Sequence, residues 1–382
     1  MKFLRRGLIS LFVLYLALFG LTKVVRYPDP IATIRLGLAP ASQTPTLMPW
    51  HEIAPATNPI ALPTSTEAMP AQVQYEKRPM SWDEFLTATK TNALLVMRNG
   101  VLTYEWYKEG FDKSTRLPSY SIAKTMTSLM IGQLVDNGKV KESDFFVDYF
   151  PKYKNGTAFD RVTIRSLLDM QSGVGVSDDY PTGPQGWGVA IAQMYATTDL
   201  EWFVGNNRKM SFEPGMNAEY RSVDTQLLGL VIKKVTGKRV SDYFSESIWQ
   251  KVGAESAATW NVDRVDGTEK TFCCFNATAR DFARIGLMLL NGGFAGSERI
   301  ISPAWLQRMG KTVVQLDHGW GYGAQVWHPY PNTLMALGLY GQFIFIDPSS
   351  RTVIVKLSDN PPGSDTEAAT AEVLYTLSQS KI

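Results

Sequence analysis

Ser121 and Lys124 lie three residues apart at the start of an apolar stretch with a helical pattern, shortly after Pro118. Residues three apart on a helix lie on the same face, so the serine hydroxyl can meet the lysine amine. A free serine is a weak nucleophile, but a desolvated, neutral lysine can accept its proton. The serine N–H, at a helix N-terminus, is also available to bind a developing negative charge. The pair therefore predicts a nucleophile with its own general base.

The Ser-x-x-Lys pattern is not specific by itself. Ser378 and Lys381 match it as well, at a C-terminus that is expected to fray. A second catalytic arrangement also stays open, a Ser-His-Asp triad with His318 or His328 as the base. The chain has no Gly-x-Ser-x-Gly turn to present such a serine, and both histidines lie in an aromatic segment typical of a sheet edge. The Ser121–Lys124 pair is the favoured interpretation.

The chain offers few groups for metal binding or cross-linking. Its histidines are His51, His318 and His328, and it contains neither an HExxH motif nor paired CxxC motifs. Neither a metal centre nor another cofactor is predicted, although a carboxylate-only metal site stays open. Cys273 and Cys274 are neighbours, and Cα atoms about 3.8 Å apart are closer than an ordinary disulfide accepts. No disulfide framework is therefore expected.

Charge and composition limit the classes of partner. The net charge of +2 is spread along the 382 residues without a basic block, which argues against nucleic-acid binding. The first 26 residues contain an uncharged apolar run, 7–22, with basic residues on both sides. No clear cleavage site follows the run, so residues 1–26 are predicted to remain as a signal anchor, with a cleaved signal as the alternative. The basic start favours an exported body.

Residues 27–80 hold nearly half of the prolines, with Ser, Thr and Ala between them. This composition predicts a tether or an extended arm that wraps the body. The body, 81–382, is expected to begin where Ser81 and Glu84 form a capping-box pattern for a short helix.

Strand patterns lie at both ends of the body, and helical patterns lie in its middle. In 93–107, two apolar runs flank Asn99-Gly100, a dipeptide typical of the type I′ turn of a hairpin. Strand patterns recur at 342–346 and 352–357, helical spacing at 122–136, 164–170, 223–236 and 277–291, and a helix-compatible tail starts near Thr366.

This order of elements predicts an α+β fold. One antiparallel sheet is expected from residues 81–120 and 295–382, with flanking helices, and a mostly helical inserted part from residues 121–294. The cleft between the two parts is the natural place for a site.

Five ordered blocks of the sequence are similar to known motifs. They are Tyr120-Ser121-Ile122-Ala123-Lys124, the segment 163–173, Pro214-Gly215 with Tyr220-Arg221-Ser222 and Leu227-Leu228-Gly229, the segment 277–281, and the segment 338–343. Together they resemble the serine beta-lactamase and penicillin-binding-protein superfamily. Within it the chain looks most like the class C-like serine hydrolases, which include beta-lactamase-related esterases, D-aminopeptidases and 6-aminohexanoate-dimer hydrolases.

The resemblance implies roles for individual residues. Ser121 attacks the substrate, Lys124 is the base, and the phenol of Tyr220 relays a proton to the leaving group. The strand after Gly341 supplies the second oxyanion donor, the backbone N–H of Gln342.

Three further residues belong to the implied site. Tyr180 resembles a tyrosine that, in the nylon-oligomer branch, bonds to the substrate amide. Ser222 takes the place of the usual asparagine of a Tyr-x-Asn motif. Tyr340 stands in Leu339-Tyr340-Gly341, where the family has Lys-Thr-Gly or His-x-Gly. The cation that holds a penicillin carboxylate is therefore missing, and efficient beta-lactamase activity is not expected.

A literal Tyr-x-Asn match exists elsewhere, at Tyr153-Lys154-Asn155, but it falls in a Pro/Lys/Gly-rich turn. Tyr220 is favoured because it follows Pro-Gly and precedes an apolar helical run, as the resemblance requires. The aromatic side chains that could wall the cleft, or equally pack in the core, are Trp187, Trp320, Tyr322 and Trp327.

The favoured function is hydrolysis of small esters or amides through an acyl-enzyme on Ser121. A DD-peptidase or beta-lactamase acting on peptidoglycan-type substrates is one alternative, and a non-catalytic envelope binding module is another. The expected location is a bacterial cell envelope, anchored in the inner membrane with the catalytic domain in the periplasm, or secreted if the signal is cleaved.

Overall fold

The structure is a computed structural model that describes residues 2–178, 190–361 and 366–380. The helices are α1 Lys2–Val24, α2 Pro30–Leu38, α3 Trp82–Ala88, α4 Ile122–Asp136, α5 Phe146–Tyr149, α6 Ile164–Leu168, α7 Ala190–Ala196, α8 Leu200–Asn206, α9 Ser222–Thr236, α10 Val240–Phe244, α11 Ala279–Leu290, α12 Pro303–Met309 and α13 Thr366–Gln379. The strands are β1 Trp50–Ile53, β2 Gln72–Tyr75, β3 Arg78–Ser81, β4 Thr91–Arg98, β5 Val101–Tyr107, β6 Leu117–Pro118, β7 Ala258–Asn261, β8 Phe275–Ala277, β9 Phe294–Ala295, β10 Glu298–Arg299, β11 Val314–Gln315, β12 Gly321–Gly323, β13 Val326–His328, β14 Leu334–Gly338, β15 Gln342–Asp347 and β16 Thr352–Ser358.

The main sheet has eight antiparallel strands in the order β11-β12-β13-β14-β15-β16-β4-β5. Strand β16, near the C-terminus, pairs with β4, so the sheet is built from both ends of the body. The β4–β5 hairpin turns at Asn99 and Gly100, whose φ values of 51° and 83° are the positive angles that a type I′ turn needs. The α+β prediction is confirmed.

Both faces of the main sheet are buried. Alternate residues of its central strands point to opposite sides, so each face packs in its own hydrophobic cluster. Ile344 and Val355 belong to the cluster that includes α11. Phe343 and Ile354 belong to the cluster on the other face, with side chains of α3 and α13. Helix α11 approaches closely at Gly286, where an added Cβ would lie 2.5 Å from a methyl of Val353.

Helix α4 lies in the interior, between the sheet and the helical part. It is buried continuously from Ile122 to Gly132, polar residues included. An added Cβ at Gly132 would lie 2.3 Å from the Trp305 ring, so glycine is needed for this packing. Helix α9 packs beside α4 and ends at Gly237, whose φ of 68° forms a left-handed cap. The two central helices therefore hold their N-termini in fixed positions.

Part of the Pro-rich segment packs on the body. Strand β1 pairs with β7, with Trp50 opposite Asn261. The backbone N–H groups of Ala41 and Ser42 donate to Asn360 and Asp359 at 3.0 and 2.8 Å. Strand β1 belongs to a four-stranded sheet, β1-β7-β8-β6, whose last strand ends just before Ser121. The arm is thus connected through this sheet to the segment that presents Ser121.

Helix α1 extends from the body with its apolar side chains exposed. Its segment 3–24 is long and apolar enough to cross a membrane, a property that a signal sequence shares. Helix α2 follows and is capped by Asp29, which accepts from the N–H groups of Ile31 and Ala32 at 3.0 Å.

The expectation of no disulfide framework is wrong, because Cys273 and Cys274 are joined by a disulfide. Cys274 has a φ of 70°, in the left-handed region. This conformation folds the chain at the second cysteine and brings both side chains to one side, whereas neighbours in an extended chain point to opposite sides.

Candidate active site

Ser121 lies at a sharp turn between β6 and α4. The residue before it, Tyr120, has a φ of 43°, an angle that non-glycine residues rarely adopt and that clusters at functional sites. The turn is held by a bond from Ser119 N to Phe275 O at 2.8 Å, which joins it to β8. Ser121 itself is the N-cap of α4 and is half-buried. Its hydroxyl and its N–H therefore stand at the positive end of a rigid helix.

Lys124 lies one turn into α4 and is only 1% exposed. Its Nζ atom is 2.8 Å from Ser121 Oγ, 2.9 Å from Ser222 Oγ and 3.0 Å from the carbonyl oxygen of Phe272. Burial lowers the pKa of Lys124 to about 8, with Asp178 and Asp224 acting in the opposite direction. A large fraction of the amine is thus neutral near pH 8.

The hydrogen-bond partners direct the lone pair of the neutral amine. Ser222 Oγ donates its proton to Asp178 at 2.5 Å, so it can only accept from Lys124. The Phe272 carbonyl is also an acceptor. The two N–H groups of a neutral amine are used by these partners, and the lone pair is left for the Ser121 hydroxyl proton. This arrangement would allow Lys124 to accept the Ser121 proton.

Tyr220 stands on the other side of Ser121. Its phenol interacts with the Ser121 side chain, and its ring centroid lies 4.8 Å from Lys124 Nζ. The ring is stacked on Trp327 at 5.3 Å and meets the edge of Tyr322 at 6.0 Å. Burial raises the pKa of Tyr220 well above its usual value, so the phenol keeps its proton at neutral pH. A neutral phenol in this position can donate to a leaving group.

Asp224, two residues after Ser222 on α9, is a second buried carboxyl. Asp224 is fully buried and accepts a hydrogen bond from Ser172. Burial raises its pKa to about 8. Ser172 belongs to the 163–173 block of the sequence, so this contact ties that block to α9.

The turn between β14 and β15 lies against the Ser121 turn. An added Cβ at Gly338 would be 2.2 Å from Ser119 O and 3.1 Å from Ser121 N. Tyr340 and Gly341 have φ values of 68° and 80°, which turn the chain into β15 at Gln342. The β14–β15 turn therefore lies beside the Ser121 N–H.

Gln342 fixes this turn from inside the protein. It is fully buried, and its side-chain amide donates to Tyr340 O at 3.1 Å and to Ser358 O at 2.8 Å. Its side-chain carbonyl accepts from Ser358 N at 3.1 Å. The role of its backbone N–H as an oxyanion donor stays a prediction.

A cavity of about 370 Å³ opens beside Ser121, Tyr220 and Ser222. Tyr340 and the apolar side chains of Leu36, Phe272, Trp327 and Leu339 line it, as do four acidic residues, Asp178, Glu219, Asp317 and Glu367. In the described part of the chain, no lysine, arginine or histidine lines the cavity. The cation that is missing at Leu339-Tyr340-Gly341 is thus not replaced in the described cavity wall.

Other residues singled out in the sequence lie elsewhere. Tyr153 packs with Phe146 and donates to Glu201 O at 3.2 Å. His328 bonds to Thr312 and to the Met309 carbonyl, and His318 packs on Trp320. Neither histidine lines the described cavity.

The second Ser-x-x-Lys serine is also remote from the site. Ser378 bonds to Asp347 and to the Tyr375 carbonyl. Tyr180 and Trp187 lie outside the described residues.

Sequence reasoning missed Asp178, the Phe272 carbonyl and Lys356. Asp178 follows the Ser172-Gly173 block by five residues, and this proximity is the one local signal for it. A backbone carbonyl has no sequence signal. Lys356 is a fully buried lysine on β16, near Gly341 and hydrogen-bonded to Ser358. Lys356 lies in an apolar strand pattern that is typical of a buried core strand, and this pattern gives no sign of a functional residue.

Comparisons with known proteins identify the family and relatives of this chain. Residues 84–377 match the family model described as Beta-lactamase. The 6-aminohexanoate-dimer hydrolase of Paenarthrobacter ureafaciens is 28% identical over 306 residues, which are 73% of this chain and 75% of that protein. A solved structure described as "Putative 6-aminohexanoate-dimer hydrolase from Bacillus anthracis" has a TM-score of 0.78 and 25% identity, over 92% of this chain and 94% of that chain.

A more distant structure shares the fold. The octameric penicillin-binding protein homologue from Pyrococcus abyssi has a TM-score of 0.61 and 20% identity, and the match covers 77% of this chain and 75% of that one. The family match spans most of the chain. The chain therefore belongs to the beta-lactamase family and is a serine hydrolase of that family.

Proposed function

We propose that this protein hydrolyses small esters or amides through an acyl-enzyme on Ser121, with Lys124 as the general base and Tyr220 as the proton relay. The observation that carries the proposal is the set of contacts around Lys124 Nζ. The buried amine has two acceptor partners, Ser222 Oγ and Phe272 O, and it lies 2.8 Å from the Ser121 hydroxyl.

The reaction begins when Ser121 Oγ attacks the substrate carbonyl and its proton passes to Lys124. The oxyanion that forms accepts hydrogen bonds from Ser121 N–H and from Gln342 N–H. When the intermediate collapses, the leaving group takes a proton from Tyr220, and the Lys124 ammonium returns one to Tyr220. Water then attacks the acyl-enzyme, with Lys124 again as the base, and the acid is released.

The cavity supports a substrate without an essential carboxylate. A penicillin-type carboxylate needs a cation, and no lysine, arginine or histidine lines the described cavity wall. The apolar part of the wall suits acyl and alkyl groups. The name of the Paenarthrobacter relative refers to a dimer of 6-aminohexanoate, an amino acid whose units join through an amide, and this supports amides as well as esters as substrates.

The N-terminal helix supports a proposed location in the cell envelope. Helix α1 is apolar over 3–24 and has basic residues at both ends. It anchors the protein in the inner membrane, and the catalytic part lies on the periplasmic side of a bacterial envelope.

The test is the Ser121→Ala variant of the full chain in detergent. Hydrolysis of a p-nitrophenyl ester and labelling by a fluorophosphonate probe are both expected to be lost. Ser378→Ala is the matched control, because Ser378 has the same Ser-x-x-Lys spacing but bonds to Asp347 outside the cavity. Turnover that persists undiminished in Ser121→Ala would overturn the assignment.

The same preparation separates the alternatives. A stable adduct with a fluorescent penicillin, formed faster than esters turn over, would favour a DD-peptidase or beta-lactamase. Failure of ester, amide and lactam substrates alike would favour a binding module.

A further inference from the structure

The disulfide between Cys273 and Cys274 lies in the wall of the cavity beside Ser121. Cys273 and its neighbour Phe272 both line the cavity, and the Phe272 carbonyl is the acceptor 3.0 Å from Lys124 Nζ. We propose that this disulfide is a positioning element of the catalytic site: it holds the Phe272 carbonyl against Lys124, so that reduction impairs the base. The proposal rests on the function proposed above.

The segment around the disulfide is fixed by bonds to strand β7 and by a bond within its own loop. The Cys273 N–H donates to Lys270 O at 3.1 Å, and Cys273 O accepts from the Trp260 indole at 3.0 Å. Cys274 O accepts from Asn261 N at 2.8 Å. The disulfide closes a small ring immediately after the Phe272–Cys273 peptide, so the peptide that carries the Phe272 carbonyl enters this ring directly.

The disulfide ring maintains an uncommon backbone conformation at Cys274. Its φ of 70° lies in the left-handed region, which residues other than glycine, asparagine and aspartate seldom occupy. With two free thiols, Cys274 can return to a common right-handed or extended conformation. Such a change rotates the Cys273–Cys274 peptide, and through Cys273 it disturbs the preceding peptide, which carries the Phe272 carbonyl.

A neutral Lys124 amine has two N–H donors, and the partners of these donors decide where its lone pair points. Lys124 uses one N–H for Ser222 Oγ and one for Phe272 O. If the carbonyl moves away, the second N–H is free to donate to Ser121 Oγ, and the lone pair no longer faces the serine proton. The pair then lies at the same distance but in the wrong orientation for proton transfer.

Reduction can be driven in the intact protein. A water-soluble phosphine and one water convert the disulfide into two thiols and the phosphine oxide. Diamide reverses the change by taking two hydrogens from the thiols. The chain has two cysteines, so every thiol that appears reports on this bond.

The experiment follows ester hydrolysis by the full chain in detergent before and after phosphine treatment, with thiols counted by Ellman's reagent. We expect kcat/KM to fall by about tenfold or more on reduction, because small displacements of catalytic groups lower the rate to this extent. The value should recover with diamide. The acidic limb of the kcat/KM profile is expected to move to higher pH, since an opened wall admits water to Lys124. A purely structural bond would change stability without moving this limb.

The double variant Cys273→Ser/Cys274→Ser is the matched control. It is expected to have the low activity of the reduced protein and no response to the phosphine. If the variant does not fold, the comparison of oxidised and reduced wild type still decides.

Two results would overturn the proposal: two thiols released with unchanged kcat/KM and pH profile, or two free thiols in fully active untreated protein. Failure of the proposed function shows separately, as turnover that the Ser121→Ala variant retains.

Discussion

Ser222 and Asp178 are joined by two hydrogen bonds, from Ser222 N to Asp178 Oδ1 at 2.7 Å and from Ser222 Oγ to Asp178 Oδ2 at 2.5 Å. These bonds commit the serine proton to the carboxylate, and the serine oxygen is left to accept from Lys124. An asparagine, usual at the Ser222 position in the superfamily, offers a carbonyl acceptor without help. Ser222 and Asp178 together thus provide the hydrogen-bond acceptor that a single asparagine provides elsewhere in the superfamily.

Asp178→Asn should damage catalysis through the orientation of Ser222. The new asparagine amide can donate to Ser222 Oγ. The Ser222 hydroxyl can then donate its own proton to the Lys124 lone pair, which is no longer available to Ser121. A misdirected bond costs about 1–3 kcal/mol, so kcat/KM should fall by about ten- to hundredfold. The acidic limb of its pH profile should move to lower pH, since Asp178 raises the pKa of Lys124.

Two further variants control this experiment. Glu219→Gln removes another carboxylate of the cavity, one that pairs with Arg221 and not with Ser222, and should leave the acidic limb in place. Asp178→Asn/Ser222→Asn restores the asparagine acceptor and should recover part of the activity. Wild-type kinetics in Asp178→Asn would contradict the role given to the pair.

The pH dependence of the wild type identifies the base. Burial lowers the pKa of Lys124 to about 8, and only the neutral amine can accept the serine proton. The kcat/KM for a non-ionising ester should therefore rise with pH through about 8. Tyr220 has a pKa raised well above its usual value, so it should cause no loss of activity below about pH 10. A limb near pH 6.5 instead would indicate a histidine base.

The sequence anticipated features that depend on local pattern. The Asn99-Gly100 hairpin and helices α4, α9 and α11 follow from turn chemistry and from apolar spacing, which neighbouring residues determine. The Lys124–Ser121 distance also follows from one helical turn. The Phe272 carbonyl reaches Lys124 from 148 residues away, and only the packing of α4 against the 270–275 segment creates that contact.

The disulfide was missed for a related reason. Spacing rules for cysteines assume ordinary backbone conformations, and Cys274 adopts a left-handed one. The Pro-rich segment also has too little periodicity to reveal that β1 would pair with β7.

Gly338→Ala should strongly lower activity by displacing the turn that carries Ser121. The new Cβ would lie 2.2 Å from Ser119 O, a backbone atom, so β14 and the Ser121 turn must separate. Overpacking of this kind costs about 1–3 kcal/mol of stability, and a displacement of about 1 Å at the nucleophile costs about a hundredfold in rate. Ester kinetics and thermal unfolding measure both effects.

Gly205→Ala is the control for this variant. Gly205 lies in α8, where the added Cβ would meet only Tyr153 at an ordinary 3.5 Å. It should leave both activity and Tm near the wild-type values. Equal activity in Gly338→Ala would show that β14 does not constrain the nucleophile.

The charge of the cavity should be visible in substrate preference. Glu367 and Asp317 line it, and both act electrostatically on Tyr220, the proposed proton donor to the leaving group. Among esters matched in shape, kcat/KM should decrease from cationic to neutral to anionic leaving groups, by about tenfold per charge at low salt and less at high salt.

Glu367 gives this preference a pH dependence. Burial raises its pKa to about 7, so the carboxylate forms as pH rises through 7 and the preference for cations should grow over that range. Glu367→Gln should reduce both the preference and its pH dependence. An anionic leaving group that matches the cationic one in kcat/KM would contradict the electrostatic argument.

Lys356→Met should stabilise the fold, most strongly at low pH. Lys356 is fully buried on β16, and burial lowers its pKa from 10.5 to about 7. Between these values the unfolded chain binds the proton and the folded protein does not, so wild-type stability rises with pH across the window. Below pH 7 the folded protein must keep a buried charge. Methionine fills a similar volume without one.

Thermal unfolding at pH 6, 8 and 10 tests this prediction. The Tm of Lys356→Met should exceed that of wild type at pH 6, and the difference should shrink steadily toward pH 10. Lys251→Met is the control, because Lys251 is exposed and pairs with Glu298 at the surface, so its substitution should give no such trend. A Tm below wild type at pH 6 would mean that the bond from Lys356 to Ser358, beside Gly341, outweighs the burial of the charge.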